Sequence, residues 1–203
     1  MSDRIPLPYG TWPSLITPEL VASEGVRYAE LSFDGDELLW LERRPQEGGR
    51  SVVVGRDVEG RITDRIPKTM NARSLVHEYG GGAYRCHRGQ LYFVNFDDQD
   101  LYVSSAGAAP RRLTREPHLR FADLCIDERR DRLIAVAEDH EGEGEASNRL
   151  VSIDLKSGSV STLVAGADFY SNPVLSSSGA RLAWLSWHHP DMPWDATTLW
   201  CCD

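Results

Sequence analysis

Hydrolytic or redox chemistry needs a nucleophile beside a base, metal ligands at set spacing, or backbone amides turned on an anion, and this chain carries fragments of each. His77-Glu78-Tyr79-Gly80-Gly81-Gly82 joins a base, a carboxylate and a glycine triplet. It is not the zinc-protease H-E-x-x-H, because Gly81 stands where the second histidine would have to share the helical face. A glycine triplet can present amides to an oxyanion, as in esterases, but that role needs a nucleophile beside it. The simpler reading is conformational: glycine tolerates positive φ, so three in a row let the chain turn tightly into a strand.

The other fragments are weaker. Glu138-Asp139-His140-Glu141-Gly142-Glu143-Gly144-Glu145 places five carboxylates in eight residues, oxygen ligands of the kind calcium prefers. Its spacing does not match an EF-hand loop, so a solvated or Arg-paired loop is the expectation. Asp97-Asp98-Gln99-Asp100 reads as an acidic hairpin turn, and His188-His189 would point to opposite faces of a strand. Cys86, Cys125, Cys201 and Cys202 show neither a C-x-x-C pair nor zinc-like His/Cys spacing. No G-x-S-x-G elbow occurs: Ser176-Ser177-Ser178-Gly179 lacks the first glycine and sits between strands. Phosphate-loop and dinucleotide fingerprints are absent as well. The sequence therefore yields no catalytic residue, no cofactor-binding residue, no metal ligand and no cofactor.

The elements that would have to position such groups are short strands in repeat. The apolar clusters Leu38-Leu39-Trp40, Leu91-Tyr92-Phe93, Leu133-Ile134-Ala135 and Leu182-Ala183-Trp184 each centre a second strand, and Val53, Tyr102, Val151 and Trp200 follow at steps of 49 in the third. A period near fifty with several strands per repeat predicts radially arranged four-stranded sheets. The fold class expected is all-β: a partial β-propeller of about four blades of antiparallel strands, the last incomplete. Residues 1–25 form a lead segment, broken by Pro6, Pro8, Pro13 and Pro18, with Trp12 as an apolar anchor and a short helix starting at Thr17-Pro18-Glu19-Leu20. The incomplete propeller takes residues 26–203, with blades over about 26–67, 76–115, 119–165 and 169–203. A strand missing from the last blade would leave an open sheet edge.

Composition sets the setting. The chain has 203 residues, 41% of them hydrophobic, enough for a sizeable core. Its net charge of -9 disfavours non-specific attraction to nucleic acid or anionic membrane, so neither is expected as a partner. Without an apolar run near the roughly 20 residues that span a bilayer, and with a polar Met1-Ser2-Asp3-Arg4 start, a cytoplasmic location is expected.

Longer motifs carry a resemblance. Pro8-Tyr9-Gly10-Thr11-Trp12-Pro13-Ser14, Val76-His77-Glu78-Tyr79-Gly80-Gly81-Gly82-Ala83, Glu138-Asp139-His140 with Gly142-Glu143-Gly144-Glu145 and Asn148, Asp168-Phe169-Tyr170-Ser171, Leu182-Ala183-Trp184-Leu185-Ser186-Trp187 and Met192-Pro193-Trp194-Asp195 together resemble bacterial members of the prolyl oligopeptidase family, of the dipeptidyl aminopeptidase/acylaminoacyl-peptidase type. That resemblance implies a propeller that limits access to an α/β-hydrolase domain bearing a Ser-Asp-His triad. It reaches the lead and roughly the first half of the propeller and carries over no triad residue. The chain is then expected to be the substrate-gating portion of a serine peptidase for short or N-acylated peptides, inactive alone and meeting peptides only through the absent hydrolase domain. The alternative is a stand-alone four-bladed propeller, closed by the lead segment, acting as a binding or interaction module.

Overall fold

In the computed structural model, which describes residues 6–11, 13–22, 25–105 and 107–203, the chain is a four-bladed all-β propeller with almost no helix. Trp12, expected to anchor the lead segment, lies outside the described residues. Blade 1 holds β1 (Arg27–Asp34), β2 (Glu37–Arg44), β3 (Arg50–Arg56) and β4 (Ile62–Asp64); blade 2 holds β5 (Tyr84–His87), β6 (Gln90–Val94), β7 (Leu101–Ser105) and β8 (Arg111–Arg112). Blade 3 is β9 (Leu119–Asp127), β10 (Arg132–Asp139), β11 (Ser147–Asp154) and β12 (Val160–Val164), and blade 4 is β13 (Phe169–Leu175), β14 (Leu182–Trp187) and β15 (Thr198–Cys202). Every sheet is an antiparallel meander in chain order, and the fourth has three strands. The lead segment carries α1 (Pro18–Ala22), where Thr17 Oγ1 accepts the Leu20 amide at 3.1 Å, and adds no strand to blade 4 among the described residues.

The blades stack in sequence, β5 on β1, β9 on β5 and β6, and β13 on β9, β10 and β11. Alternation explains how one sheet serves two neighbours, because successive side chains in a strand leave by opposite faces. In blade 3, Leu133, Ala135 and Ala137 join a cluster with Tyr92, Val94 and Leu101 of blade 2, whereas Ile134, Val136 and Leu150 join one with Tyr170 and Trp184 of blade 4. Fully burying each Leu, Ile or Phe contributes about 1.5–3 kcal/mol, so these junctions are the main hydrophobic stabilisation.

Register refines the 49-residue step. Val151 and Trp200 face Ala135 and Trp184, as that step requires, but in blade 1 Val54 faces the equivalent Trp40. The inner strands explain the equivalence. Each of β1, β9 and β13 carries a bulge at the same place, with Glu30, Asp123 and Asn172 at φ 52°, 53° and 53°. Just ahead of β5, Gly82 holds φ 53° in blade 2. A bulge turns one extra residue out of the ladder and sharpens the local twist, which frees its side chain to reach the next blade.

Candidate functional site

The motifs scattered along the sequence meet at one end of blades 2 to 4. The chain from Ser74 to Gly82 crosses that end. Ser74 Oγ donates to the Phe121 carbonyl at 2.6 Å and accepts the Val76 amide, while the Gly80 amide returns to the Val76 carbonyl at 2.9 Å. Gly80 is obligatory here: it sits at φ 71°, and a Cβ would lie 2.3 Å from the Ser74 carbonyl oxygen. His77 and Glu78 also take positive φ, 54° and 64°, which non-glycine residues adopt only when their surroundings hold them there.

Glu138 does that holding. Its carboxylate is buried and accepts the His77 amide at 2.6 Å, contacts His140 Nε2 at 2.6 Å, and takes Arg120 Nη1 at 3.3 Å. Arg120 Nη1 also reaches Glu78 at 2.7 Å and the Leu75 carbonyl at 3.2 Å. The acidic loop expected to be solvated or Arg-paired is thus both: Asp139 pairs with Arg149 at 2.8 Å, and residues 141–145 are exposed.

Around the His77 ring stand three aromatics. Phe169 and Trp187 stack on each other at 5.4 Å between centroids, and both present to His77 edge-on, at 5.4 and 5.6 Å; Tyr79 lies 5.6 Å away. Burial lowers the His77 pKa, against the opposing pull of the Glu138 and Asp123 carboxylates and of Asn148. His77 Nε2 and Asn148 Oδ1 nonetheless end buried without a well-formed hydrogen bond. The Asn148 amide nitrogen donates to the Asp168 carbonyl at 2.9 Å, and the Asp168 carboxylate takes the His189 amide and meets His188 Nδ1, each at 3.1 Å. His188 and His189 are therefore partners of Asp168, and among the described residues no group of three His, Cys, Asp or Glu is placed to hold a metal ion.

Beneath this end lies a cavity of about 230 Å³ on the inner strands, lined in part by Glu30, Gly82, Tyr84, Asp123 and Asn172. Glu30 Oε2 accepts the Ala83 amide at 3.0 Å, so the bulge of blade 1 reaches blade 2; Asp123 Oδ2 accepts the Asn172 amide at 2.8 Å, so blade 3 reaches blade 4. Burial raises the Glu30 pKa, the Asp123 charge adds to this, and the amides of Ala83, Gly82 and Tyr84 oppose it. Of the glycine triplet, the Gly80 amide is thus bonded to the Val76 carbonyl, and the Gly82 amide stands beside the Glu30 carboxylate. A Cβ on Gly82 would come within 2.6 Å of the Asp123 backbone, so glycine is required by close approach as well as by φ.

Sequence reasoning singled out the glycine triplet, the acidic loop and the paired histidines, and it missed Glu30, Asp123 and Asn172. Their signal is the recurring aromatic-small-polar triplet: Tyr28-Ala29-Glu30, Phe121-Ala122-Asp123 and Tyr170-Ser171-Asn172.

Among the described residues no hydrogen bond joins a serine hydroxyl or a thiol to a histidine, and burial pushes the Cys86 thiol up to about 12 and raises Cys125. Among solved structures, the chain is similar to a puromycin-hydrolyzing peptidase of Mycobacterium tuberculosis, at 35% identity over 98% of this chain, with a TM-score of 0.86. A puromycin hydrolase matches at 34% identity over 96% of this chain, with a TM-score of 0.85. The chain covers 33% of the length of each. It corresponds to the propeller portion of the prolyl oligopeptidase family. The family resemblance in the His77, Glu138 and Asp168 motifs is thereby a resemblance in one assembled surface. TolB of Acinetobacter baumannii shares the fold alone, at 12% identity over 88% of this chain and 41% of its own, with a TM-score of 0.63. No family model matches the chain, and no curated protein does.

Proposed function

We propose that this chain is the substrate-gating propeller of a serine peptidase that hydrolyses short or N-acylated peptides, with the reaction itself carried by an α/β-hydrolase domain. The supporting observation is the 34–35% identity sustained over nearly the whole chain to puromycin-hydrolysing peptidases. The end surface around His77 supports the same reading. It is aromatic, acidic and rigidly braced, which suits contact with peptides or with a second domain rather than bond cleavage. The four free cysteines support reading its setting as cytoplasmic; no helix among the described residues is long and apolar enough to cross a membrane.

Two measurements test this. The purified 203-residue chain is expected to turn over no acyl-peptide or aminoacyl-arylamide substrate and to take no label from a fluorophosphonate; serine-directed labelling with turnover would defeat the reading. A chimera in which this chain replaces the matching third of a puromycin-hydrolysing peptidase is expected to keep short-peptide hydrolysis while excluding folded proteins. Retained folding with equal cleavage of long and short substrates would count against gating.

A further inference from the structure

The segment 74–82, which crosses the end of blades 2 to 4, is a strained strap. Two consecutive non-glycine residues, His77 and Glu78, hold φ 54° and 64°, and Gly80, Gly81 and Gly82 follow at 71°, 123° and 53°. Left-handed backbone at a non-glycine residue persists only where its surroundings over-determine it. Hydrogen bonds fasten the strap: Ser74 Oγ to the Phe121 carbonyl, the Leu75 amide to Gln99 Oε1 at 2.8 Å, the His77 amide to Glu138, and Arg120 to the Leu75 carbonyl and to Glu78. The His77 ring adds a further fastening, packed against Phe169, Trp187 and Tyr79.

That seat suits an uncharged imidazole and not an imidazolium. Phe169 and Trp187 offer no hydrogen-bond acceptor. Asn148, 7% exposed, turns toward His77 from β11, yet Asn148 Oδ1 and His77 Nε2 both stay without a well-formed bond, and His77 Nδ1 meets the Tyr79 hydroxyl at 3.4 Å. A second N–H on the ring would add a donor to a site already short of acceptors. The carboxylates of Glu138 and Asp123 favour the charged ring, but burial outweighs them and lowers the His77 pKa. Other charges on the packed elements are committed to partners: Arg120 to Glu138 and Glu78, His140 to Glu138, Arg149 to Asp139, and Asp168 to His188.

We infer that His77 is an acid-released latch: a proton taken up by its ring expels the imidazole from between Phe169, Trp187, Tyr79 and Asn148 into solvent, and the strap 74–82 then relaxes away from Glu138. Gly82 and Ala83, at the end of the strap, hold their amides on Glu30 of blade 1, so release also loosens the contact between blades 1 and 2. Linkage sets the direction. An unseated histidine takes its proton near pH 6.5, so the latch is closed above about that value and opens progressively as pH falls below it. The latch does not depend on the peptidase reading, because it needs neither a substrate nor a second domain.

Hydrogen exchange of the 203-residue chain, read by mass spectrometry at about pH 7.5 and about pH 5.5 and corrected for intrinsic exchange, tests the latch. One pH unit below the ordinary histidine value, linkage allows at most about a 10-fold change. Protection of the strap is expected to fall about 3- to 10-fold at the lower pH, while β10 and β11 keep theirs. His77→Asn takes no proton and tolerates left-handed backbone; its strap is expected to exchange with the same protection at both pH values. His140→Gln removes the other histidine on Glu138 and is expected to keep the wild-type response. If either variant fails to fold, an NMR titration of the His77 ring in the wild-type chain decides, with a midpoint expected below about 6.5 that coincides with loosening of the strap. A strap whose wild-type protection ignores pH overturns the inference. So does a response that persists in His77→Asn or disappears in His140→Gln, or a His77 midpoint at or above the ordinary value.

Discussion

Phe121 and Tyr28 hold the same place in blades 3 and 1, two residues ahead of a left-handed bulge, yet the first is sealed in the core and the second stands in solvent. The difference lies in the neighbour, since the two stretches share sequence pattern, register and strand geometry. Blade 3 has blade 2 in front of it and blade 4 behind, and its β10 reads as an almost unbroken buried run from Leu133 to Glu138. Among the described residues blade 1 packs on blade 2 through β1 and β5, and β1 has no fully buried residue along its length. In a propeller the apolar face is a property of a blade pair, so the same residue type is buried in one repeat and exposed in another.

The largest expected effect tests that equivalence directly. Phe121→Ala should destabilise the chain by about 3–5 kcal/mol, as large-to-small changes of buried aromatics do, whereas Tyr28→Ala should cost no more than about 0.5 kcal/mol in dilute solution. Urea unfolding of both variants measures the gap, and equal losses would mean that Tyr28 is packed against something after all. A second contrast separates backbone strain from blade contact. Gly158 and Gly35 both turn hairpins at positive φ, but a Cβ at Gly158 would press on the Leu113 carbonyl of blade 2, while Gly35 meets nothing within 4 Å. Alanine at Gly35 should cost about 1 kcal/mol from conformation alone, and alanine at Gly158 about 1–3 kcal/mol more, the usual cost of overpacking. Comparable melting temperatures for the two variants would break the contrast.

The smallest effect is a pair of opposite pH dependences. Glu30 has a raised pKa, so its contribution is fully present below the ordinary glutamate value of about 4.3 and is lost as pH rises through the folded value. Asp127 has a lowered one, because Arg132 and Arg130 outweigh the burial that opposes them, so its contribution is present above the ordinary aspartate value of about 3.9 and is lost as pH falls through the folded value. Glu30→Gln should flatten the decline of unfolding free energy on the alkaline side of its transition, and Asp127→Asn the decline on the acid side. Denaturant titrations across pH 2 to 7 distinguish them, and matching slopes in both variants would show that neither shift reports on folding.

Much of this was legible in the residues themselves. Apolar clusters near a fifty-residue spacing announced strands in repeat, and Thr17-Pro18-Glu19 announced a helix start, because turns, caps and two-residue alternation are local physics. The 49-residue step slipped by one in blade 1, since Val54 rather than Val53 faces the equivalent rung. The β2–β3 ladder itself runs without a bulge, so the slip lies in the length of chain that connects the strands, which composition does not fix. The end surface was legible only as separate words. Nothing in His77-Glu78 says that Glu138, sixty residues on, accepts its amide, nor that Phe169 and Trp187 stack beside its ring.

By itself, then, the sequence determined which segments extend and where they turn, because those preferences are settled within a few residues of chain. Tertiary structure alone decided which of three matching aromatics are buried, which carboxylate meets which amide, and which glycines a distant strand crowds. Burial and hydrogen bonding depend on what another blade brings to the contact, and equivalent triplets in blades 1, 3 and 4 meet different neighbours.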